Sequence, residues 1–216
     1  MSSPSIIVDS IASSHSPAVS RSELRKLMRA RRAALSETER DEAALSVAER
    51  IAATNWFRRS RHIACYLPQN GELDPTPLMQ RAWAMGKICY LPVLNTLHAN
   101  RMWFVPYSAG DKLIPNRYGI PEPITSRHRL SAHKLDLVLT PLVAFDAQGN
   151  RLGQGGGFYD QTFAFLRHRR HWRKPRLIGI AYEFQRVARL QNHDWDVPLY
   201  AVATETTLYF PGKETP

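Results

Sequence analysis

The stretch 150–160, with the sequence NRLGQGGGFYD, is the part of the chain whose residue types could do chemistry. Four of the five positions 153–157 are glycine, so bare backbone lies between Arg151 and Asp160. Bare backbone amides can surround a phosphate, an arginine can pair with it, and a carboxylate can hold Mg²⁺ beside it. The pattern therefore predicts a phosphate-binding loop, and a tight turn without a ligand is the alternative.

The elements around this loop are predicted to be a buried strand and a helix. The apolar segment 135–145 is rich in branched residues and too short to span a membrane. Residues 158–166 place aromatic and aliphatic side chains at helical spacing. Strand, loop and helix in this order direct loop amides and a helix N-terminus at a phosphate. The glycine spacing matches neither the Walker A loop nor the dinucleotide-binding fingerprint, so these residues alone leave the ligand open.

The composition is that of one globular domain with an anionic partner. The chain has 216 residues, of which 44% are hydrophobic and 22% charged, and it carries a net charge of +10. The first 20 residues contain eight serines and no lysine or arginine, so residues 1–19 are predicted to be a disordered tail. Residues 20–216 are predicted to form a single α/β domain. Cys65 and Cys89 lack metal-binding spacing, which predicts buried thiols in a reducing, cytoplasmic location.

Two capping boxes, beginning at Ser20 and Ser36, predict two successive helices at the start of this domain. The first helix is amphipathic, and its basic residues other than Arg31 are predicted to lie on its outer faces. Its predicted inner face consists of Leu24, Leu27, Met28, Arg31 and Leu35.

Strands and helices are predicted to alternate beyond these two helices. Strands are expected at 62–67 and 87–93, and between them a helix that Asp74 caps runs from Pro75 to Met85. This alternation predicts an α/β fold with a mostly parallel sheet covered on both faces. Further along the chain, strands are predicted at 100–107, 177–182 and 202–210, a surface crossing at 119–123 and a basic linker at 167–176.

Five sequence blocks occur together in a fixed order. They are RSELR at 21–25, Glu72 with Asp74, GIPEP at 119–123, FDAQGNRLGQGGGFYD at 145–160, and DVPL at 196–199 followed by Thr204 and Glu205. With this order and spacing the chain resembles the 5-formyltetrahydrofolate cyclo-ligase family, also called methenyltetrahydrofolate synthetase, over residues 20–208. The block at 145–160 is the most specific of the five.

The resemblance implies both a fold and a reaction. The fold is a three-layer α/β sandwich with a mostly parallel central sheet. The reaction is the conversion of 5-formyltetrahydrofolate to 5,10-methenyltetrahydrofolate, which consumes ATP in the presence of Mg²⁺ and releases ADP and phosphate. It proceeds through a phosphorylated N5-formyl group. The protein then has mainly to position two substrates and neutralise phosphate charge.

The resemblance also implies a role for individual residues. Catalysis is expected from Arg151 and Asp160, and Mg²⁺ binding from Asp160 and Asp196. The expected ATP contacts are Arg21, Arg25, Arg151, Leu152, Gly153, Gln154, Gly155, Gly156, Gly157, Phe158 and Tyr159. The expected folate contacts are Arg25, Leu67, Glu72, Gln154, Gly155, Gly156, Gly157 and Phe158.

Two positions depart from the usual family pattern. Gln154 stands where many members carry a basic residue, which removes a side-chain charge but leaves the backbone amides. Tyr200 stands where many members have a second aspartate after the DVPL block. Of the two aspartates near that block, Asp196 is therefore expected to bind the metal and Asp194 is not.

The net charge leaves a nucleic-acid-binding protein as one alternative. Such a protein should carry aromatic residues interleaved with its basic runs, but 21–32 has none and 167–176 has only Trp172. A sugar-phosphate isomerase of related α/β architecture is the other alternative, and it would need no ATP. We therefore expect a monomer that binds two small molecules, without a nucleic-acid or membrane partner.

Overall fold

The computed structural model describes residues 20–95, 101–117, 119–124, 129–167 and 174–212. The helices in these ranges are α1 (Arg21–Ala33), α2 (Glu37–Ala52), α3 (Asn55–Arg59), α4 (Thr76–Ala84) and α5 (Phe158–Thr162). The strands are β1 (His62–Ala64), β2 (Ile88–Leu94), β3 (Met102–Pro106), β4 (Leu113–Pro115), β5 (Pro121–Pro123), β6 (Leu137–Pro141), β7 (Ala144–Phe145), β8 (Arg151–Leu152), β9 (Arg176–Ile180), β10 (Ala201–Ala203) and β11 (Leu208–Tyr209).

The described strands form a seven-stranded sheet in the order β11-β10-β9-β6-β1-β2-β3, with β4-β5 and β7-β8 as separate two-stranded pairs. The five inner strands are parallel, and only the edge strands β3 and β11 run antiparallel to their neighbours. Parallel strands need crossover connections; α4 lies in the one between β1 and β2, and α5 lies in the one between β6 and β9. The predicted mostly parallel sheet is confirmed.

Both faces of the sheet are buried, because alternate side chains of each inner strand point to opposite layers. One face packs against α2, α3 and α4, where Ile51 and Phe57 are fully buried against Leu139. The other face packs Val138 against Phe163, which follows α5. Helices and turns on both sides of one sheet make three layers, as predicted.

The helix starts follow their capping residues. The side chain of Ser20 accepts a hydrogen bond from the backbone N–H of Glu23 at 3.2 Å, and Ser36 caps α2 in the same way. The α4 helix begins one residue later than predicted. Asp74 does not occupy its N-cap position, although its carboxylate accepts a hydrogen bond from the N–H of Thr76 at 2.8 Å.

Several predicted strands are divided by turns that the apolar pattern does not reveal. The run 135–145 forms β6 and then β7, because Val143 donates its N–H to the carbonyl of Leu152 at 2.7 Å and the chain turns towards β8. The predicted last strand at 202–210 is two antiparallel strands, β10 and β11. The predicted helix at 158–166 is α5 followed by a 3₁₀ turn at Ala164–Leu166.

Within the segment 119–123, which was expected to cross the surface, residues Pro121–Pro123 form β5 and pair with β4. Ile114 and Ile120 of this hairpin are exposed, and the hairpin borders the cavity described below. Cys65 and Cys89 are free and buried, as predicted, and burial raises the pKa of Cys65. Among the described helices none is long and apolar enough to cross a membrane. The predicted tail at 1–19 and most of the predicted linker, 168–173, lie outside the described residues.

Candidate active site

A cavity of about 660 Å³ lies at the carboxyl ends of the parallel strands. Leu67 follows β1, Leu94 ends β2 and Pro141 ends β6, and all three line it. Ligands of open α/β sheets bind at this edge, because loops from neighbouring strands converge there. The volume is within the range of small-molecule sites.

The glycine loop forms one wall of this cavity and needs glycine for two different reasons. Gly155 and Gly157 have φ angles of +114° and +66°, which residues with a side chain rarely adopt. A Cβ at Gly156 would lie 2.8 Å from the ring of Phe158. Gly157 is also the N-cap of α5, so the loop backbone turns directly into that short helix. The loop therefore presents backbone rather than side chains to the cavity.

The wall next to this loop carries a row of arginines on α1. Arg21, Arg25 and Arg29 are spaced four residues apart, so they lie on one helix face, and all three line the cavity. Like charges at this spacing destabilise a helix. Partial burial and the charges of Arg21 and Arg29 lower the pKa of Arg25. A bound anion would relieve this repulsion, which makes the row a candidate phosphate site.

Two hydrogen bonds join the arginine row to the glycine loop. Arg25 donates its Nε–H to the carbonyl of Gly153 at 2.9 Å, and Arg29 donates from Nη2 to Oε1 of Gln154 at 2.8 Å. The guanidinium of Arg25 also lies 3.8 Å from the position of a Cβ at Gly155. The helix and the loop therefore close on one another across a few ångströms.

Arg151 and Asp160 meet at the base of the loop. Arg151 Nη2 lies 2.6 Å from Asp160 Oδ1, and only 4% of the Arg151 side chain is exposed. Its Nε is buried without a hydrogen-bond partner among the described residues. The Arg151 guanidinium carbon lies 5.8 Å from the ring centre of Tyr159, whose pKa is raised by burial.

Two aspartates have a free oxygen that could bind Mg²⁺. Asp160 Oδ1 accepts from Arg151 and from the N–H of Val197 at 3.0 Å. Asp196 Oδ2 accepts from the N–H of His193 at 3.1 Å and lies 3.7 Å from Arg21 Nη2.

The remaining oxygens, Asp160 Oδ2 and Asp196 Oδ1, have no hydrogen bond within the described part of the chain, and both carboxylates line the cavity. The described residues contain no cluster of three metal-ligating side chains. Mg²⁺ fits two carboxylates when phosphate oxygens and waters complete its shell.

Glu72 lies on the other side of Gln154 and is held by the protein itself. Its Oε1 accepts from Gln154 Nε2 at 2.7 Å, and its Oε2 accepts from the N–H of Gln69 at 3.1 Å. Arg32 Nη1 lies 4.0 Å from Oε1. Burial raises the pKa of Glu72, although both hydrogen bonds and the charge of Arg32 act in the opposite direction.

Comparisons with known proteins agree on one family. The sequence model described as "5-formyltetrahydrofolate cyclo-ligase family" matches residues 17–205. The chain belongs to the 5-formyltetrahydrofolate cyclo-ligase family. It is 38% identical over 184 residues to the 5-formyltetrahydrofolate cyclo-ligase of Escherichia coli K12, covering 85% of this chain and 99% of that protein.

Two further relatives support this assignment. The 5-formyltetrahydrofolate cyclo-ligase of Haemophilus influenzae is 36% identical over 185 residues, covering 84% of this chain and 94% of that protein. The NMR structure of Aquifex aeolicus 5,10-methenyltetrahydrofolate synthetase superposes with a TM-score of 0.75 at 31% identity, covering 91% of this chain and 95% of that one. The resemblance drawn from the sequence is confirmed.

The cavity brings together nearly all the residues that the cyclo-ligase resemblance singled out. The exception is Leu152, which is buried with Met28, Val143 and Ala144 beneath α1 and does not line the cavity. The roles assigned to the individual residues stay predictions. The residues in the lining are Arg21, Arg25, Leu67, Glu72, Arg151, Gly153, Gln154, Gly155, Gly156, Gly157, Phe158, Tyr159, Asp160 and Asp196.

The predicted faces of α1 are wrong at three positions. Leu27 was placed inside but is 52% exposed, and Arg31 is exposed as well. Arg32 was placed outside but is completely buried. The helix packs through Met28 on the β7–β8 pair, and this contact turns Arg32 rather than Leu27 into the interior.

The lining also contains residues that were not predicted from the sequence, among them Arg29, Glu122 and Trp195. Arg29 continues the four-residue spacing of Arg21 and Arg25, and this spacing could have revealed it. Glu122 fastens the β4–β5 hairpin to the cavity edge, because its Oε1 accepts from the N–H of Leu94 at 3.0 Å. Trp195 lies at the cavity with 60% of its surface exposed. Glu122 belongs to the GIPEP block of the family resemblance, which could have revealed it, whereas no local pattern distinguishes Trp195.

Proposed function

We propose that the cavity binds ATP where the arginine row meets the glycine loop, with 5-formyltetrahydrofolate beside it on the Glu72 side. As a member of its family the protein is an enzyme that converts 5-formyltetrahydrofolate to 5,10-methenyltetrahydrofolate. The proposal adds where each substrate lies and which residues act on it.

One observation carries this proposal, namely the row of Arg21, Arg25 and Arg29 facing a loop of bare backbone within hydrogen-bonding distance. Arginines supply charge to phosphate oxygens, and the loop amides supply hydrogen bonds from the other side. A binding site that relied on a basic patch alone would not need the glycine loop beside the arginines.

The chemistry needs positioning more than it needs a protein nucleophile. The N5-formyl oxygen attacks the γ-phosphorus, an O–P bond forms, and the bond to the bridging oxygen breaks so that ADP leaves. N10 then attacks the activated formyl carbon and loses its proton, while the C–O bond breaks and phosphate leaves. Negative charge develops on phosphoryl oxygens in both steps, so fixed positive groups accelerate them.

Arg151 is the side chain best suited to stabilise the negative charge on the phosphoryl oxygens. Arg151 lines the cavity, and Asp160 holds one end of its guanidinium at 2.6 Å. A fixed guanidinium loses little entropy on binding an oxyanion.

Asp160 and Asp196 would hold Mg²⁺ through their free oxygens. When bound, this ion neutralises charge on the phosphate oxygens of ATP. Arg21 lies 3.7 Å from Asp196 and supports the same region from α1.

The folate side uses an apolar surface and one carboxylate. Leu67 lines the cavity and precedes Glu72 by five residues in the same loop. The two hydrogen bonds to Glu72 keep its carboxylate in one orientation, so it can accept hydrogen bonds from the N–H groups of a pterin ring.

The deciding experiment is an absorbance assay for 5,10-methenyltetrahydrofolate formed from 5-formyltetrahydrofolate, run with and without ATP. We expect product only with ATP and Mg²⁺ present, and ATP-independent product would contradict the proposal. A melting experiment adds a binding readout, because a ligand of the folded state raises the melting temperature. Stabilisation by RNA or a sugar phosphate, but not by ATP with Mg²⁺, would favour the alternatives instead.

A further inference from the structure

Arg32 is a charged side chain inside the protein without the hydrogen bonds that normally accompany one. It is 0% exposed, and its Nε, Nη1 and Nη2 atoms are all buried without a hydrogen-bond partner among the described residues. Taking a charge out of water is strongly unfavourable unless an opposite charge compensates it. A methionine at this position could pack without that cost, so the charge needs a reason.

The carboxylate within reach of Arg32 is Glu72, with Nη1 and Oε1 4.0 Å apart and only 7% of the Glu72 side chain exposed. Other titratable groups near Glu72 come from three elements. Arg29 lies on α1, Tyr66 follows β1, and Tyr159 lies on α5.

None of these three can replace Arg32 as a buried cation. Arg29 is exposed and bonds to Gln154, and the hydroxyl of Tyr66 donates to the carbonyl of Leu73 at 2.6 Å. Burial raises the pKa of Tyr159, which keeps this phenol neutral. Arg32 is thus the buried positive charge that faces Glu72 from within the described residues.

We infer that Arg32 is a positioning residue for the folate-side carboxylate: it is the buried counter-ion that keeps Glu72 ionised and oriented toward the cavity. Since its three side-chain nitrogens have no hydrogen-bond partner among the described residues, the guanidinium acts on Glu72 through its charge across 4.0 Å. The inference rests on the proposed binding of folate by Glu72.

The pH dependence that follows has a definite sign. Burial raises the pKa of Glu72 and the charge of Arg32 opposes that rise. Without Arg32, burial acts with less opposition, so the pKa of Glu72 moves further up and more of the carboxyl is protonated at a given pH. A protonated Glu72 offers a weaker acceptor, so the defect should be largest at low pH and fade as the pH rises.

The direct test is an NMR titration of the full-length protein labelled with ¹³C at the glutamate carboxyl groups. Glu72→Gln assigns the Glu72 signal, and the parent is compared with Arg32→Met and Arg32→Lys. We expect the midpoint of Glu72 to move to higher pH in Arg32→Met and to return towards the parent in Arg32→Lys, which keeps the charge. An unchanged midpoint in folded Arg32→Met would overturn the inference.

Lys87→Met is the matched control, because it removes another buried cation. Lys87 Nζ donates to the carbonyls of Arg58 and Ser60 at 2.8 Å, and this side chain does not line the cavity. It should lower stability and leave the Glu72 midpoint in place. If the Glu72 midpoint shifts equally in Lys87→Met, loss of any buried cation produces the effect. The inference that Arg32 acts specifically on Glu72 would then be overturned.

Kinetics separate this inference from the proposed function. Arg32→Met should raise the KM for 5-formyltetrahydrofolate by roughly tenfold at acidic pH, more than it lowers kcat, because a charged hydrogen-bond acceptor is weakened. Suppose that the Glu72 midpoint shifts in Arg32→Met but the folate KM of Glu72→Gln equals that of the parent. This result would show that Glu72 does not bind folate. The ion pair itself would still stand in that case.

A second comparison covers the case in which Arg32→Met does not fold. Removing one partner of a buried pair leaves an uncompensated charge, whereas removing both does not. The double variant Arg32→Met/Glu72→Gln should therefore recover folding. If the double variant also fails to fold while Glu72→Gln alone folds, Arg32 serves something other than Glu72 and the inference is overturned.

Discussion

On the phosphate side of the cavity, Asp160 and Asp196 each leave one carboxylate oxygen without a hydrogen bond among the described residues, whereas on the folate side both oxygens of Glu72 are bonded. The neighbouring charges differ as well. Arg151 and Arg21 lie against the aspartates from the cavity wall, but the cation that faces Glu72 from the interior is completely buried.

This difference indicates two kinds of recognition in one cavity. A carboxylate with a free oxygen can gain a cation, so the phosphate side depends on what is dissolved in the medium. A carboxylate with a hydrogen bond on each oxygen is already oriented, so binding on the proposed folate side depends on the protein alone. Magnesium concentration is therefore the variable that separates the two sides.

The largest effect is expected from Asp160→Asn and Asp196→Asn. Each keeps the shape of the side chain but removes a negative charge from a hard-cation site, so activity should fall on the order of 100-fold. Raising Mg²⁺ should partly restore the rate, because weaker binding is overcome by mass action. Initial rates measured across a Mg²⁺ series give both quantities.

Two controls sharpen this prediction. Asp194→Asn alters an exposed neighbour that does not line the cavity, and its rate should stay close to that of the parent. Glu72→Gln should lose folate affinity without any rescue by Mg²⁺. Rescue of Glu72→Gln by Mg²⁺ would contradict the distinction between the two sides. A magnesium-dependent defect in Asp194→Asn but not in Asp196→Asn would mean that Asp194, not Asp196, is the second Mg²⁺ ligand.

An intermediate effect is expected from Gly157→Ala in the glycine loop. Gly157 has a φ of +66° with no atom within 4 Å of an added Cβ, and Gly86, at the end of α4, has a φ of +69° and is equally open. Both alanine variants should lose about 1 kcal/mol of stability from backbone strain. Only Gly157→Ala should also weaken ATP binding, by on the order of tenfold, because it displaces the amides that face phosphate.

Thermal unfolding and calorimetric titration with ATP test this pair. Equal stability losses with unequal ATP affinities would support the amide contact to phosphate. If the two variants bound ATP equally well, the glycine loop would be a tight turn that binds no phosphate.

The smallest effect is expected from Arg25→Ala. It removes one of three arginines in the row and the 2.9 Å bond to Gly153, so KM should rise several-fold for both substrates with little change in stability. Lys26→Ala makes the same charge change on an exposed position of the same helix that does not line the cavity. Equal KM values in the two variants would mean that Arg25 is a solvent-exposed charge that does not contact either substrate.

The features that the sequence alone determined are those set by neighbours along the chain. The capping boxes at Ser20 and Ser36 involve groups only three residues apart, so both helix starts were predicted correctly. The alternation of apolar strands and helices predicted the parallel sheet for the same reason. The glycine block carried the family resemblance because bare backbone is needed wherever a chain must approach another group closely.

The tertiary structure alone decided which side chains from distant segments meet. Arg32 and Leu27 are both on α1, and it is the packing of Met28 on the β7–β8 pair that buries the charge and exposes the leucine. The contact of Glu122 with Leu94, and of Gln154 with Glu72, joins segments that are far apart in the chain. A local pattern holds no information on such pairs, since burial and charge compensation depend on the whole packed interior.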